Sequence, residues 1–184
     1  MKETKELIIE ASLEVFSEKG YTSATTLEIS KKAGVSEMTL FRHFQTKNNL
    51  FLATINAAIG TSIINDEIID LDVDLRRFVF LLMHEKLLMI SKQTKLIKML
   101  IRETLAHTLS KDLEFTKMIY NQVIKKISKY VAYHELHVDS ISFAEIVVGL
   151  LLRYAIMEDK PIYHLLDEDE QLKYLSSYLN ILNI

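Results

Sequence analysis

Between Thr25 and Lys47 the chain reads TTLEISKKAGVSEMTLFRHFQTK, a run of helix start and stop signals too closely spaced for anything but short helices. Thr25 is an N-cap, and Glu28, three residues on, completes a Thr-x-x-Glu capping box. Ile29 and Ala33 then share one face. Gly34 stands where the chain must turn, because a residue without Cβ takes a positive φ at little cost. Val35 is the apolar plug of that turn, and Ser36 caps a second helix from Glu37 to about His43. In this helix Leu40 and Phe44 face inward at i, i+4 spacing, which leaves Glu37, Met38, Thr39, Arg42 and His43 outward. Thr46 is a third N-cap, with Lys47 in the first turn of the next helix. Two short helices at a tight turn are the element that lays its second helix in the DNA major groove, with flanking helix starts on the phosphates.

The rest of the chain continues in the same period. One proline and four glycines in 184 residues leave little punctuation, and no period-2 run is long enough for a strand. We expect an all-α fold: an N-terminal three-helix bundle containing the helix–turn–helix, then a C-terminal helical domain, with the boundary between residues 46 and 47. The first helix, about Thr4 to Lys19, shows Ile8, Ala11, Val15 and Phe16 on one face and ends at Gly20. Lys47 to about Ile63 joins the two parts, and Asn65–Asp74 reads as a loop. Further helices are expected over Leu75–Ile90, Thr94–His107, Ser110–His134, Ser140–Glu158 and Asp167–Leu182. Ser142 and Glu145 suggest another capping box, Pro161 falls in the break before the last helix, and Asp167, Glu168, Asp169 and Glu170 face that helix's positive dipole end.

The last two helices carry a seam. Leu172, Leu175, Leu179 and Leu182 follow a 3-4-3 spacing, and the helix before them is apolar nearly all round. They close either the monomer core or a four-helix bundle with a second copy, and the bundle fits a two-fold DNA reader better. Its expected residues are Phe143, Val147, Leu150, Leu151, Tyr154, Leu172, Leu175 and Leu179.

Several function classes are disfavoured. There is no cysteine, hence no disulfide or thiolate metal site. The longest uncharged apolar run, Ile146–Leu152, is far short of the ~20 residues of a membrane helix, and the N-terminus lacks the apolar core of a signal peptide. A cytoplasmic protein is expected. The net charge is −3, but within Thr25–Lys47 the basic residues Lys31, Lys32, Arg42 and Lys47 outnumber Glu28 and Glu37. His134 and His137 share a helix face without an evident third ligand, and no phosphate loop, nucleophile elbow or carboxylate pair is visible. Neither an enzyme nor a cofactor is expected.

Ala11, Phe16, Lys19-Gly20-Tyr21, Thr25-Thr26, Ile29, Ala33-Gly34-Val35-Ser36, Thr39-Leu40-Phe41, His43-Phe44 and Lys47 to Leu50 together give residues 8–51 a resemblance to the DNA-binding domain of TetR/AcrR-type transcriptional regulators. The resemblance implies an all-helical homodimer, acting as a repressor on a palindromic operator and released by a small apolar or amphipathic effector. Carried over by position, phosphate contacts fall on Thr26, Phe41, His43 and Lys47, and base-edge contacts on Glu37, Met38 and Thr39. Phe41 stands where the family usually has tyrosine, and Met38 where glycine is frequent. Glu37 reads as an acceptor for a cytosine amine or as a solvated charge, and Arg42 as a phosphate or guanine contact or a solvated one. The effector pocket would lie among the helices after Asp74, with Phe78, Met83, His84, Met99, Phe115, Met118, Asn121 and Gln122 as candidates; ordinary core packing is the competing reading for each. The alternative function keeps DNA binding and makes the C-terminal half a protein-interaction module without a pocket.

Overall fold

A computed structural model of the chain describes residues 3–64, 70–109 and 115–181, without the side chains of 61–64, 115 and 116. The described residues form nine α-helices and one 3₁₀ turn, with no strand among them. They group into two compact units, Met1–Thr61 with Lys95–Thr116, and Ser62–Thr94 with Lys117–Ile184.

The first unit holds α1 (Thr4–Ser23), α2 (Thr26–Lys32), α3 (Glu37–Phe44), most of α4 (Lys47–Ile64) and α6 (Thr94–Leu105). The expected Thr25–Glu28 capping box is present, with Glu28 N–H donating to Thr25 Oγ1 at 3.2 Å and Thr25 N–H to Glu28 Oε2 at 3.2 Å. Gly34 adopts φ 69°, the Gly34 N–H donates to the Lys31 carbonyl, and the Val35 N–H donates to the Ser30 carbonyl. That pair of bonds is the Schellman closure a left-handed glycine permits. Ser36 and Thr46 cap as expected, accepting from Thr39 N–H at 3.1 Å and Asn49 N–H at 3.0 Å. Ile8, Phe16, Ile29, Leu40, Leu50 and Phe51 are fully buried, and Phe16 meets Phe51 edge to face with ring centres 4.9 Å apart. α1 runs on to Ser23, but Gly20, at φ 83° and ψ 168°, interrupts its helical backbone where the sequence places the end.

The second unit is arranged on α5 (Leu75–Lys92), which packs against α8 (Ser140–Ile156), α9 (Glu168–Ile181) and the 3₁₀ turn Tyr163–Leu165. α7 (Phe115–Tyr133) clasps the segment before α5. Tyr130 Oη donates to the Val73 carbonyl at 2.8 Å, Tyr133 Oη to Asp72 at 2.5 Å, and His134 Nε2 lies 2.6 Å from the Leu71 carbonyl. Part of the expected 65–74 loop, part of the expected Ser110 start of α7, and Leu182 lie outside the described residues.

The structure adds to the sequence reading in three places. The cap of α8 is Asp139, whose carboxylate accepts from both the N–H and the hydroxyl of Ser142, in place of a Ser142–Glu145 box. A carboxylate one residue before the helix outcompetes a hydroxyl inside it for the free N–H groups. The 3₁₀ turn carries no periodic signal, yet Tyr163 is fully buried and ties to Tyr154 Oη through its N–H at 3.0 Å. Finally, Val147, Leu151, Tyr154, Leu175 and Leu179, expected between subunits, are at most 3% exposed within the single chain. The Leu175–Leu179 stripe belongs to α9, which packs on α5 of its own protomer. Phe143 and Leu150 are half-buried, and Leu172 is half exposed.

Candidate nucleic-acid interface

α3 is held by Leu40 at 0% and Phe44 at 5% exposure. Its opposite face therefore presents Met38, Phe41, Arg42 and His43 outward, Met38 at 83% and Phe41 at 41% exposure. Thr39 is half-buried, and its hydroxyl lies 2.9 Å from that of Ser36.

Glu37 is half-buried and has a partner within the headpiece. Thr26 Oγ1 donates to Glu37 Oε1 at 2.5 Å, joining the start of α2 to the start of α3. The hydroxyl expected on a phosphate and the carboxylate expected at a base edge thus satisfy each other.

The local basic excess is smaller in space than in sequence. Lys32 forms an ion pair with Glu14, whose carboxylate raises the ammonium pKa. Lys19 pairs with Glu28 at 2.5 Å, and that bond is the main reason the Glu28 carboxyl sits below the ordinary carboxylate value. Lys47 donates to the Thr22 carbonyl at 3.3 Å and lies 4.7 Å from the centre of the Tyr21 ring. Burial pushes its ammonium pKa down, and the charge of Glu103 opposes that shift. A cation at a helix start is accommodated here by a carbonyl and a ring face.

The candidate pocket residues divide between the two units. Met99 lies in α6 and Phe115 in the same first unit, while the other six belong to the second. Phe78 is fully buried and stacks on Tyr130 at 4.1 Å, and Met83 is 2% exposed. His84 Nδ1 shares a 2.8 Å hydrogen bond with Tyr163 Oη. Met118 and Asn121 are exposed. Gln122 Oε1 is buried with no hydrogen-bond partner among the described residues.

Sequence reasoning missed Tyr21 as the ring under Lys47 and Glu103 as a buried carboxylate of the same unit. A signal for Glu103 existed. It falls in register with Leu96, Met99 and Leu100 on the apolar stripe of α6, where a charge needs a reason.

The fold and the α2–turn–α3 geometry agree with the comparisons to known proteins. Residues 8–54 match the model of bacterial regulatory proteins of the tetR family. The tetR-family likeness is carried by these residues. It is 41% identical over 56 residues to the uncharacterised HTH-type transcriptional regulator YvkB of Bacillus subtilis, and the match covers 30% of each chain. The chain thus matches under a third of that curated relative's length. Beyond residues 8–54 the likeness is one of fold. A transcriptional regulator from Aquifex aeolicus superposes with TM-score 0.69 at 20% identity over 98% of this chain and 99% of its own. FadR of Bacillus subtilis, solved in complex with stearoyl-CoA, superposes with TM-score 0.65 at 18% identity over 94% of this chain and 97% of its own.

Proposed function

We propose that this chain is a DNA-binding transcriptional regulator, a homodimeric repressor of a palindromic operator that a small apolar or amphipathic effector releases. The observation that carries the reading is the outward face of α3, where Met38, Phe41, Arg42 and His43 are exposed together on a helix fixed from behind by Leu40 and Phe44. In that reading Thr26, Phe41, His43 and Lys47 meet phosphates, Arg42 meets a phosphate or guanine, and Glu37, Met38 and Thr39 stand at the base edges. Residues 1–46 read DNA and 47–184 bind effector and partner.

Two observations support the finer parts. The fold relative FadR of Bacillus subtilis was solved in complex with stearoyl-CoA, an amphipathic acyl ligand. In this chain Gln122 Oε1 is a buried acceptor without a partner among the described residues, the kind of group an effector would satisfy. For the dimer, α8 and α9 carry exposed Ile146, Leu152, Ile156 and Leu172, and a Cβ at Gly149 would meet nothing within 4 Å. Selection of duplexes from a random-sequence pool by the full chain tests the proposal. The expected product is a two-fold symmetric sequence bound less tightly as salt rises; enrichment of no sequence over random duplex would sink it.

A further inference from the structure

The last turn of α6 carries two charged residues against α1. Glu103 is 7% exposed, and its Oε1 stands where a Cβ on Gly20 would have to go, with Arg102 Nη2 2.9 Å from the same point. Thr108 Oγ1 donates to Glu103 Oε2 at 2.5 Å, and Arg102 Nη2 lies 3.7 Å from Oε1. Tyr21 and Thr22, directly after Gly20, supply the ring and the carbonyl on which the Lys47 ammonium rests. The Glu103 charge also reaches that ammonium and offsets its loss of water. All of these residues belong to the first unit. A helix that the sequence places beyond α4 and α5 therefore meets the headpiece beside its candidate phosphate anchor.

We propose that Glu103 is a positioning residue for DNA binding: its buried carboxylate fills the space left by Gly20, fixes the Gly20–Thr22 corner under Lys47, and so makes the placement of Lys47 depend on where α6 stands. The charges explain why a carboxylate is tolerated beside the C-terminal end of α1, where the helix dipole disfavours it: Arg102 stands beside it and the Lys47 charge lies within its reach. A leucine would suit the apolar stripe of α6 better, but it would offer Lys47 no counter-charge. A displacement of α6 would withdraw the carboxylate from the corner and the counter-charge from Lys47 together. The inference rests on the DNA-binding reading above and adds the residue through which α6 acts on it.

The test uses the full chain and the duplex that wild type enriches from a random pool, with affinity measured across a salt series for Glu103→Gln, Glu103→Asp, Lys47→Ala and the Glu103→Gln/Lys47→Ala pair. Glu103→Gln keeps the size of the side chain and an acceptor for Thr108. It is expected to weaken binding about tenfold and to lower the salt slope by about one, the signature of one lost phosphate contact. In the Lys47→Ala background it should cost nothing more, and Glu103→Asp should recover part of the loss. Without DNA, NMR titration should show the Lys47 ammonium losing its proton at lower pH in Glu103→Gln than in wild type. Binding as tight as wild type with an unchanged slope, or a loss that adds in full to that of Lys47→Ala, overturns the proposal. If wild type enriches no duplex, the DNA reading fails; an unmoved Lys47 titration in Glu103→Gln defeats the positioning role by itself.

Discussion

Gly20 and Glu37 show how much a single residue decides in the headpiece. Gly20 sits at φ 83° and ψ 168°, a region essentially reserved for glycine, and a Cβ there would run into the Glu103 carboxylate. Gly20→Ala should lower unfolding stability by about 1–3 kcal/mol from the backbone alone, measurable by urea denaturation. Gly34, also at positive φ but with nothing within 4 Å of a Cβ, should suffer only the backbone part when changed to alanine. Glu37 accepts from Thr26 and adds a negative charge where phosphates are proposed to pass. Glu37→Gln should tighten binding to all duplexes by about 1 kcal/mol, roughly fivefold, as one repulsion near a phosphate is removed. A change confined to particular sequences would instead show that its contact at the base edges outweighs the repulsion. These positions were half legible: the glycine and its turn stand out in the sequence, but the partner of each lies far along the chain or across a turn.

At the level of elements, α5 organises the second unit, and its polar side chains are as telling as its apolar ones. Lys86, fully buried, and Lys126 of α7, 9% exposed, both bond the Glu85 carboxylate, at 2.8 and 3.1 Å. His84, one residue earlier, joins α5 to Tyr163 of the 3₁₀ turn, and Ser91 Oγ lies 2.8 Å from His164 Nδ1 farther along. Burial, and then the charge of Arg77, hold the His84 pKa below its ordinary 6.5. The folded state therefore resists a proton that the unfolded chain accepts. The stabilisation from neutral His84 is complete above 6.5 and is lost as pH falls through the lowered folded value. Between about pH 7 and 5 the wild type should lose more stability than His84→Asn, read by chemical unfolding at each pH; equal losses would remove His84 from the account. Helix periodicity placed α5 well, because its buried face repeats every three to four residues. The 3₁₀ turn escaped, because three residues make no period.

For the whole molecule the decisive question is which apolar surface belongs to the protomer and which to a partner. The 3-4-3 leucines Leu175 and Leu179 are used up inside the chain, while Leu152, Ile156 and Leu172 stay exposed. Leu152→Glu and Leu172→Glu should therefore leave each chain folded and shift sedimentation from dimer to monomer, weakening binding to a two-fold duplex with them. Leu175→Glu should instead unfold the chain, since it buries an unpaired charge. A dimer that survived both surface changes would exclude this face as the interface.

Sequence alone determined the headpiece helices and their caps, because those depend on contacts three or four residues apart: Thr25 with Glu28, Ser36 with Thr39, Gly34 with its turn. It also settled the inward pair Leu40 and Phe44, and with it the outward face of α3. Only the tertiary structure decided which of two apolar stripes on α8 and α9 is covered, that Thr26 spends its hydroxyl on Glu37, and that α6 returns to the headpiece to place Glu103 against Gly20. Those are contacts between residues far apart in the chain, and no local periodicity encodes which of several compatible surfaces will meet.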